Sequence, residues 1–386
     1  MVYGALDIGG TKIAGALVDA GGRLVARTQR ATPAGGTAQE LMSAVSAVLD
    51  ELSAHPAWTS LSCLGIGSAG PVDTRAGTVS PVNIPAWRAF PLVDRVRAHP
   101  GMPPGMRPVL VGDAVAMTAA EHWLGAAKGV ANALCMVVST GVGGGLVLGG
   151  ALHTGKSGNA GHIGHITVDQ NGPLCPCGAR GCVERFASGT AITAFALESG
   201  WAPPPGQAPS TVGVEAAARR GDLIALAAFD RAGRALAAAI AATTALVELD
   251  LVVIGGGVAQ AGEVLFDPLR HHLAAYAVLD FTREVRVVPA ALALDAGLIG
   301  AAAAGAAGAA GASAVAGGPG SADGAGSYGG GGSSGGGGSS GGGGSSGGGG
   351  SSGGGGSSRG GGATAAPAPA GPPAGHGATG PFASRP

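Results

Sequence analysis

The chain has 386 residues, with 22 Lys and Arg against 23 Asp and Glu, so its balanced charge offers no electrostatic grip on nucleic acid or on an anionic membrane surface. No basic leader precedes the first apolar run, which Asp7 interrupts, and no charge-free apolar stretch reaches membrane-spanning length; the alanine-rich run from Ala235 to Val247 is too short. These features predict a soluble, cytoplasmic protein with neither nucleic acid nor membrane as a partner.

Three apolar or β-branched runs open the chain, Val2 to Ile8, Lys12 to Val18 and Leu24 to Arg30, separated by Gly9-Gly10 and Gly21-Gly22, and they predict a strand meander. Leu41, Val45, Val48, Leu49 and Leu52 recur at helical spacing, and Leu61 to Gly67 returns to strand. Pro108 to Gly112 reads as a strand running into a helix from Ala114 to Gly125, followed by strands over Ala133 to Ser139 and Gly143 to Leu148. Helices are expected between Val212 and Val247, a buried strand over Leu251 to Ile254, a helix over Val258 to Tyr276, a strand over Val285 to Val288 and a closing helix over Leu294 to Ala309. Strands and helices mixed in this order indicate an α/β protein of two lobes, for which about 310 residues suffice. The lobes are expected at 1–113, completed by the 294–309 helix, and at 114–293. From Ala316 to Pro386 the chain turns to Gly, Ser, Ala and Pro, including five GGGGSS units from Gly329, and a segment with so little to bury is expected to be a disordered tail.

Only five cysteines are present, and three of them, Cys175, Cys177 and Cys182, fall with His165 in one loop, 165–184, that ends on Glu184. Three thiols and an imidazole suit a tetrahedral zinc with every position filled by protein, hence a structural metal. A disulfide competes poorly, because Cys175 and Cys177 are too close in sequence for an easy bridge. Cys63 and Cys135 lie in apolar runs and read as small buried hydrophobes.

Three glycine loops stand at strand ends. Asp7-Ile8-Gly9-Gly10-Thr11-Lys12 offers backbone N–H groups and a hydroxyl to an anion, and its carboxylate calls for Mg²⁺ in between; an ordinary Gly-Gly hairpin fits the same letters. Ser139 to Gly145 and Ile254 to Val258 are the second and third loops. Neither matches a Walker or dinucleotide fingerprint, yet three such loops together favour a nucleotide in a cleft between lobes.

Taken in order, Gly141 through Gly145, Gly158 to His165, the cysteine cluster and Glu184 resemble the ROK family (repressors, open reading frames and sugar kinases), over Val2 to Ala304. The resemblance implies a two-lobed actin-like, hexokinase-like ATPase fold of ribonuclease H type with a structural zinc loop. It implies an ATP-dependent kinase acting on the 6-hydroxyl of a hexose, with glucose first and an N-acetylhexosamine or amino sugar next. By the same resemblance, Asp113 is the catalytic base. Asp7, Gly9, Gly10, Thr11 and Lys12 form the first phosphate loop, Thr140 and Gly141 belong to the second, and Gly255, Gly256 and Gly257 border the adenosine. Sugar contacts fall on Gly70, Asn83, Glu121, His165 and Glu184; His165, Cys175, Cys177 and Cys182 hold the zinc; and a homo-oligomer, dimer or tetramer, is expected.

Plainer readings stand beside these roles. Asp113 also fits a helix N-cap, Asn83 a turn between Pro81 and Pro85, and Glu121 a solvated helix position. The chain departs from most kinases of the family at Gly112 and Val115, which replace asparagines, and at His162, which replaces a glutamate in the sugar pocket. A sugar-responsive regulator is the reading from another class, but only six residues precede Asp7, too few for a DNA-binding helix-turn-helix. A sugar-binding protein with weak turnover is the third.

Overall fold

The computed structural model describes residues 1–292 and 295–316. Apart from Ala316, the tail expected over 316–386 lies outside the described residues.

The opening meander forms as its glycine turns dictate: β1 (Val2–Ile8), β2 (Lys12–Asp19) and β3 (Leu24–Ala31) pair antiparallel, with Ile8 opposite Ile13. A Thr37 and Glu40 capping box starts α1 (Ala38–Ser53), which buries Leu41, Val45, Val48, Leu49 and Leu52. β4 (Leu61–Ser68) joins β1 in parallel. A small hairpin, β5 (Val72–Asp73) and β6 (Thr78–Val79), and α2 (Leu92–Arg97) lead to β7 (Val109–Gly112), giving a five-stranded sheet of order β3-β2-β1-β4-β7.

After α3 (Asp113–Trp123), a second five-stranded sheet begins with the meander β8 (Ala133–Val138), β9 (Val142–Leu148) and β10 (Ala151–His153). The short α4 (Glu184–Ala187) and α5 (Gly189–Glu198), then α6 (Thr211–Arg219) and α7 (Leu223–Val247), precede β11 (Leu251–Gly255). α8 (Glu263–Tyr276) and β12 (Arg286–Pro289) complete the order β10-β9-β8-β11-β12, and α9 (Ala296–Ala316) ends the described chain. Phe229, Leu236 and Ile240 of α7 meet Leu265 and Phe266 of α8 in the core of this half, against Met136 and Ile254. Cys63 and Cys135 are buried, and burial pushes their thiols up to about 11 and about 12, so both behave as small hydrophobes. Among the described residues no helix is long and apolar enough to cross a membrane.

Element boundaries differ from the sequence reading where glycine intervenes. The helix expected over 258–276 is broken at Gly262, whose φ of 59° closes a 3-10 turn (Val258–Ala261) before α8 starts. The last helix continues past Ala309 to Ala316. Alanine suits a helix as well as a low-complexity run.

α3 and α9 pack against each other and against the first sheet, and α3 also meets the second. A Cβ on Gly67 of β4 would lie 3.2 Å from Ala116 Cβ, and one on Gly143 of β9 would lie 3.0 Å from Ala114 Cβ. Gly305 of α9 would place a Cβ 2.8 Å from the Gly65 nitrogen, and a Cβ on Gly300 would collide with the Ala116 carbonyl. On an isolated helix Gly→Ala stabilises by about 1 kcal/mol. Here Gly300→Ala is expected to destabilise by about 1–3 kcal/mol, as overpacking does, lowering the urea midpoint; an unchanged or higher midpoint would contradict this packing.

Candidate active site

The loops singled out in the sequence leave the two sheets at the carboxyl ends of parallel strands. Ile8, Ser68 and Gly112 are in register across β1, β4 and β7, so Gly9, Ala69 and Asp113 emerge side by side. In the second sheet Val137 pairs with Gly255, placing Ser139 beside the third glycine loop. Ligands of α/β sheets bind at this edge, where backbone donors and helix N-termini converge.

Gly112 is the N-cap of α3 without a side-chain cap, and Asp113 is the first helical residue, its Oδ1 accepting the Ala114 N–H at 2.7 Å. Asp113 therefore lies one position inside the N-cap site that the plainer reading gave it. Its carboxylate reaches solvent yet is walled by protein on most sides. Loss of water raises its pKa above the ordinary aspartate value, against the pull of the Ala114 N–H and of the nearby His162. Asp7 behaves alike: burial raises it, the adjacent Lys12 opposes, and the charge of Asp113 raises it further. Two carboxylates both raised by burial, one of them further by the other's charge, make a place where a cation or a proton is welcome.

The first glycine loop is closed by Gly9 N donating to Lys12 O at 2.9 Å and Thr32 Oγ1 donating to Gly9 O at 2.7 Å. Asn83 lies over it, its Nδ2 only 2.6 Å from where a Cβ on Gly10 would stand. His162 Nδ1 is 3.0 Å from Asn159 O; a carbonyl only accepts, so Nδ1 carries the proton and Nε2 is left facing Gly70, 3.9 Å from that residue's Cβ position. The His162 and His165 rings are 6.2 Å apart. Glu184 begins α4, and its Oε2 accepts the Val142 N–H at 2.9 Å and lies against Gly141. The cysteine loop is thereby tied to the second glycine loop.

The ligand atoms of His165, Cys175, Cys177 and Cys182 all lie within 4.8 Å of one another. Cys177 Sγ is 3.7 Å from Cys182 Sγ, and Cys175 Sγ is 3.8 Å from His165 Nδ1. A disulfide needs about 2.05 Å. Sulfurs at two corners of a tetrahedron with 2.3 Å metal bonds stand about 3.8 Å apart. Burial, then hydrogen bonding with Cys177 and Cys175, pushes the Cys182 thiol up to about 12, so three thiolates together are favourable only around a cation. The set fits a closed tetrahedral metal site.

Beside the second and third glycine loops opens a cavity of about 510 Å³, whose walls include Thr140, Thr190, Thr211, Glu215 and Gly257. Its loops are locked together: Gly189 N donates to Ser139 O at 2.7 Å, and Thr190 Oγ1 donates to Thr140 O at 3.1 Å. Gly256, at φ 93°, has no room for a Cβ against the Val138 backbone. Sequence reasoning missed Thr190, Thr193 and Thr211. The signal available was Ser188-Gly189-Thr190, a capping serine and a glycine opening α5 directly after the Glu184 segment.

One expected sugar contact is not brought to the cleft. Glu121 is fully buried, and its carboxylate accepts N–H groups from Ala126 at 2.7 Å, Ala291 at 3.2 Å and Leu292 at 2.8 Å. It is neither a sugar ligand in this arrangement nor the solvated helix position of the plainer reading. It is a brace that satisfies two loops.

A sequence model of the ROK family matches residues 3–306. A glucokinase of Thermotoga maritima is 36% identical over 310 residues, covering 77% of this chain and 95% of the relative. An N-acetylmannosamine kinase of Yersinia pseudotuberculosis is 38% identical over 298 residues, covering 77% and 96%. The crystal structure of a ROK family glucokinase from Streptomyces griseus in complex with glucose and AMPPNP superposes with a TM-score of 0.67 at 33% identity, over 80% of this chain and all of that one (100%). With its two sheets, its glycine loops at the strand ends and its cysteine cluster already in the arrangement described, the chain belongs to the ROK family.

Proposed function

We propose that this chain is an ATP-dependent kinase transferring the γ-phosphoryl group to the 6-hydroxyl of a hexose. The observation that carries the reading is Asp113, a carboxylate with a raised pKa at the start of α3, set between the Asp7 loop and the wall formed by His162, Glu184 and the cysteine loop. ATP would lie in the cavity beside Gly255, Gly256 and Gly257, with its phosphates over Gly9, Gly10, Thr11 and Lys12 and over Thr140 and Gly141. Asp7 would hold Mg²⁺, directly or through water, and the ion would neutralise phosphate charge. The sugar would contact Gly70, Asn83, His162, His165 and Glu184. Asp113 accepts the hydroxyl proton as that oxygen attacks phosphorus in line, and catalysis otherwise rests on positioning and backbone donors.

The metal of the cysteine loop is proposed to be zinc, held by His165 Nδ1 and three thiolates, with no position left for substrate. Its part is to fix His165, whose Nε2 remains available to a hydroxyl. Glucose is the leading substrate, supported by the glucokinase likeness. An N-acetylhexosamine or amino sugar comes second, supported by the N-acetylmannosamine kinase relative and by His162, whose imidazole has at most one acceptor nitrogen where a carboxylate would offer four acceptor sites. ADP release across glucose, mannose, N-acetylglucosamine, N-acetylmannosamine and kanosamine is expected to be sugar-dependent and fastest with glucose. No sugar-dependent ADP from any of them would sink the kinase reading, and leave a regulator or a binding protein.

Asp113→Asn is expected to lower turnover by about 100-fold or more while metal content and circular dichroism stay unchanged; near-normal turnover would leave Asp113 a structural residue. Because the folded-state pKa of Asp113 is raised, the active base is lost on acidification at a pH above the ordinary aspartate value, near 3.9, and kcat/KM should show that acid limb. The stability consequence has the opposite sense. In the window above the ordinary value the folded protein binds more protons than the unfolded one, so this group's contribution falls as pH rises through the folded pKa. Asp113→Asn removes that decline and should be at least as stable as the parent at neutral pH. Cys177→Ser is expected to lose the metal and to melt at a lower temperature; a metal-free, fully active and equally stable variant would refute the structural zinc.

A further inference from the structure

Arg231 of α7 is held in an unusual way. Its guanidinium carbon lies 4.4 Å from the ring centre of Phe186 in α4 and 4.8 Å from that of Phe195 in α5. Rings against a guanidinium stabilise its charge and leave the N–H edges free for a partner. The Phe186 ring is itself fixed by the cysteine loop, since its Cζ is 3.0 Å from the Cβ position of Gly172. One turn along α7, Arg234 lines with Arg231 a cavity of about 230 Å³ that Val168, Asp169 and Tyr276 also border.

The arginines lack the carboxylate partners such a cluster ordinarily has. Among the described residues, neither Arg231, Arg234 nor the neighbouring Arg185 makes an ion pair. The nearby acids have other partners: Asp169 Oδ1 accepts the Asn171 N–H at 2.9 Å, and Asp230 takes His272 Nε2 at 2.8 Å. Burial first, then the charges of Arg234 and Arg185, holds Arg231 below the usual arginine value, with Glu198 and Asp169 opposing through space. The protein answers these gathered charges only through space, from Glu198 and Asp169, with no ion pair among the described residues, and a bound anion would supply direct partners for their free N–H groups.

We propose that the cavity between the cysteine loop, α4 and α7 is a binding site for a phosphoryl dianion, with the forked donors of Arg231 and Arg234 as its recognition elements. The site is distinct from the phosphate loops of the cleft. Its walls belong to the segments that carry His165 and Glu184: Val168 follows His165 by three residues and Phe186 follows Glu184 by two. An occupant would therefore tie α7 to the wall of the proposed sugar pocket.

Isothermal titration of the full-length, metal-replete chain with inorganic phosphate, at constant ionic strength and without nucleotide, tests this. A binding event is expected that Arg234→Ala and Arg231→Lys each weaken by about tenfold or more, since each removes charged donor bonds. Arg95→Ala, an exposed arginine on α2, should leave it intact. Arg231→Lys keeps a cation against the rings, and Arg234 is exposed, so neither result depends on a variant that fails to fold. Titration with a hexose 6-phosphate separates the sources: tighter binding than phosphate assigns a sugar phosphate, and equal binding assigns the free ion. Identical phosphate isotherms for the parent and both variants would overturn the proposal. So would a dimer that Arg234→Ala dissociates with phosphate binding unchanged, because the cavity would then be an interface between copies of the chain.

Discussion

The close approach of α3 and α9 to the strands beside them is the constraint on which the site depends. Glycine and alanine meet backbone here: Gly65 faces Gly305, Gly300 faces the Ala116 carbonyl, and Gly67 faces Ala116. Such contacts leave almost no freedom in the height and rotation of α3, and Asp113 is the residue at its first turn. The position of one carboxylate is thus set by packing many residues long. Gly143 against Ala114 extends the constraint to the second glycine loop, so the two sheets are held in register with the same side chain.

That precision matters because the electrostatics of the cleft are built from opposing pulls. Asp7 and Asp113 each lose water and the charge of Asp113 disfavours that of Asp7, while Lys12 draws Asp7 back and His162 draws Asp113 back. A small displacement would alter every one of these interactions, since charges in a partly desolvated cleft act over short distances with little screening. The hydrogen bonds around them are made by backbone or by fixed side chains: Ala114 N–H to Asp113, Val142 N–H to Glu184, His162 to Asn159 O. Groups oriented in this way need little rearrangement when charge develops, which is how polar sites lower barriers.

Much of this was legible in the sequence because its signals are local. Strand alternation and the Gly-Gly turns are written within a few residues of where they act, and the cysteine loop gathers a set of side chains that could hold a metal by composition alone. The misreadings came from contacts that sequence spacing does not encode. Gly262 looked like a tolerable helix glycine, but its left-handed backbone ends one helix and begins another. Thr193 and Thr211 carry no motif and Thr190 only the helix start at Ser188; they line a cavity because α5 and α6 fold back over the second glycine loop, with Thr211 Oγ1 bonded to Gly189 O across 22 positions. The wall of that cavity is a product of topology.

Glu121 shows the same point from the other side. A carboxylate on a short helix invites a functional or a solvated reading, and both assume that the helix has a face turned to water. α3 has none over this stretch: Ala114 through Glu121 are all buried, because the helix runs between neighbours on every side. Burying a lone carboxylate is costly, and the cost is offset only where donors converge on it. Here the N–H groups of Ala126, Ala291 and Leu292 do so, joining the turn after α3 to the segment that leads into α9. α3, whose contact with α9 positions Asp113, is therefore also tied through one buried carboxylate to the segment that leads into α9. The acid that looked like a ligand for sugar serves the geometry that the proposed chemistry requires.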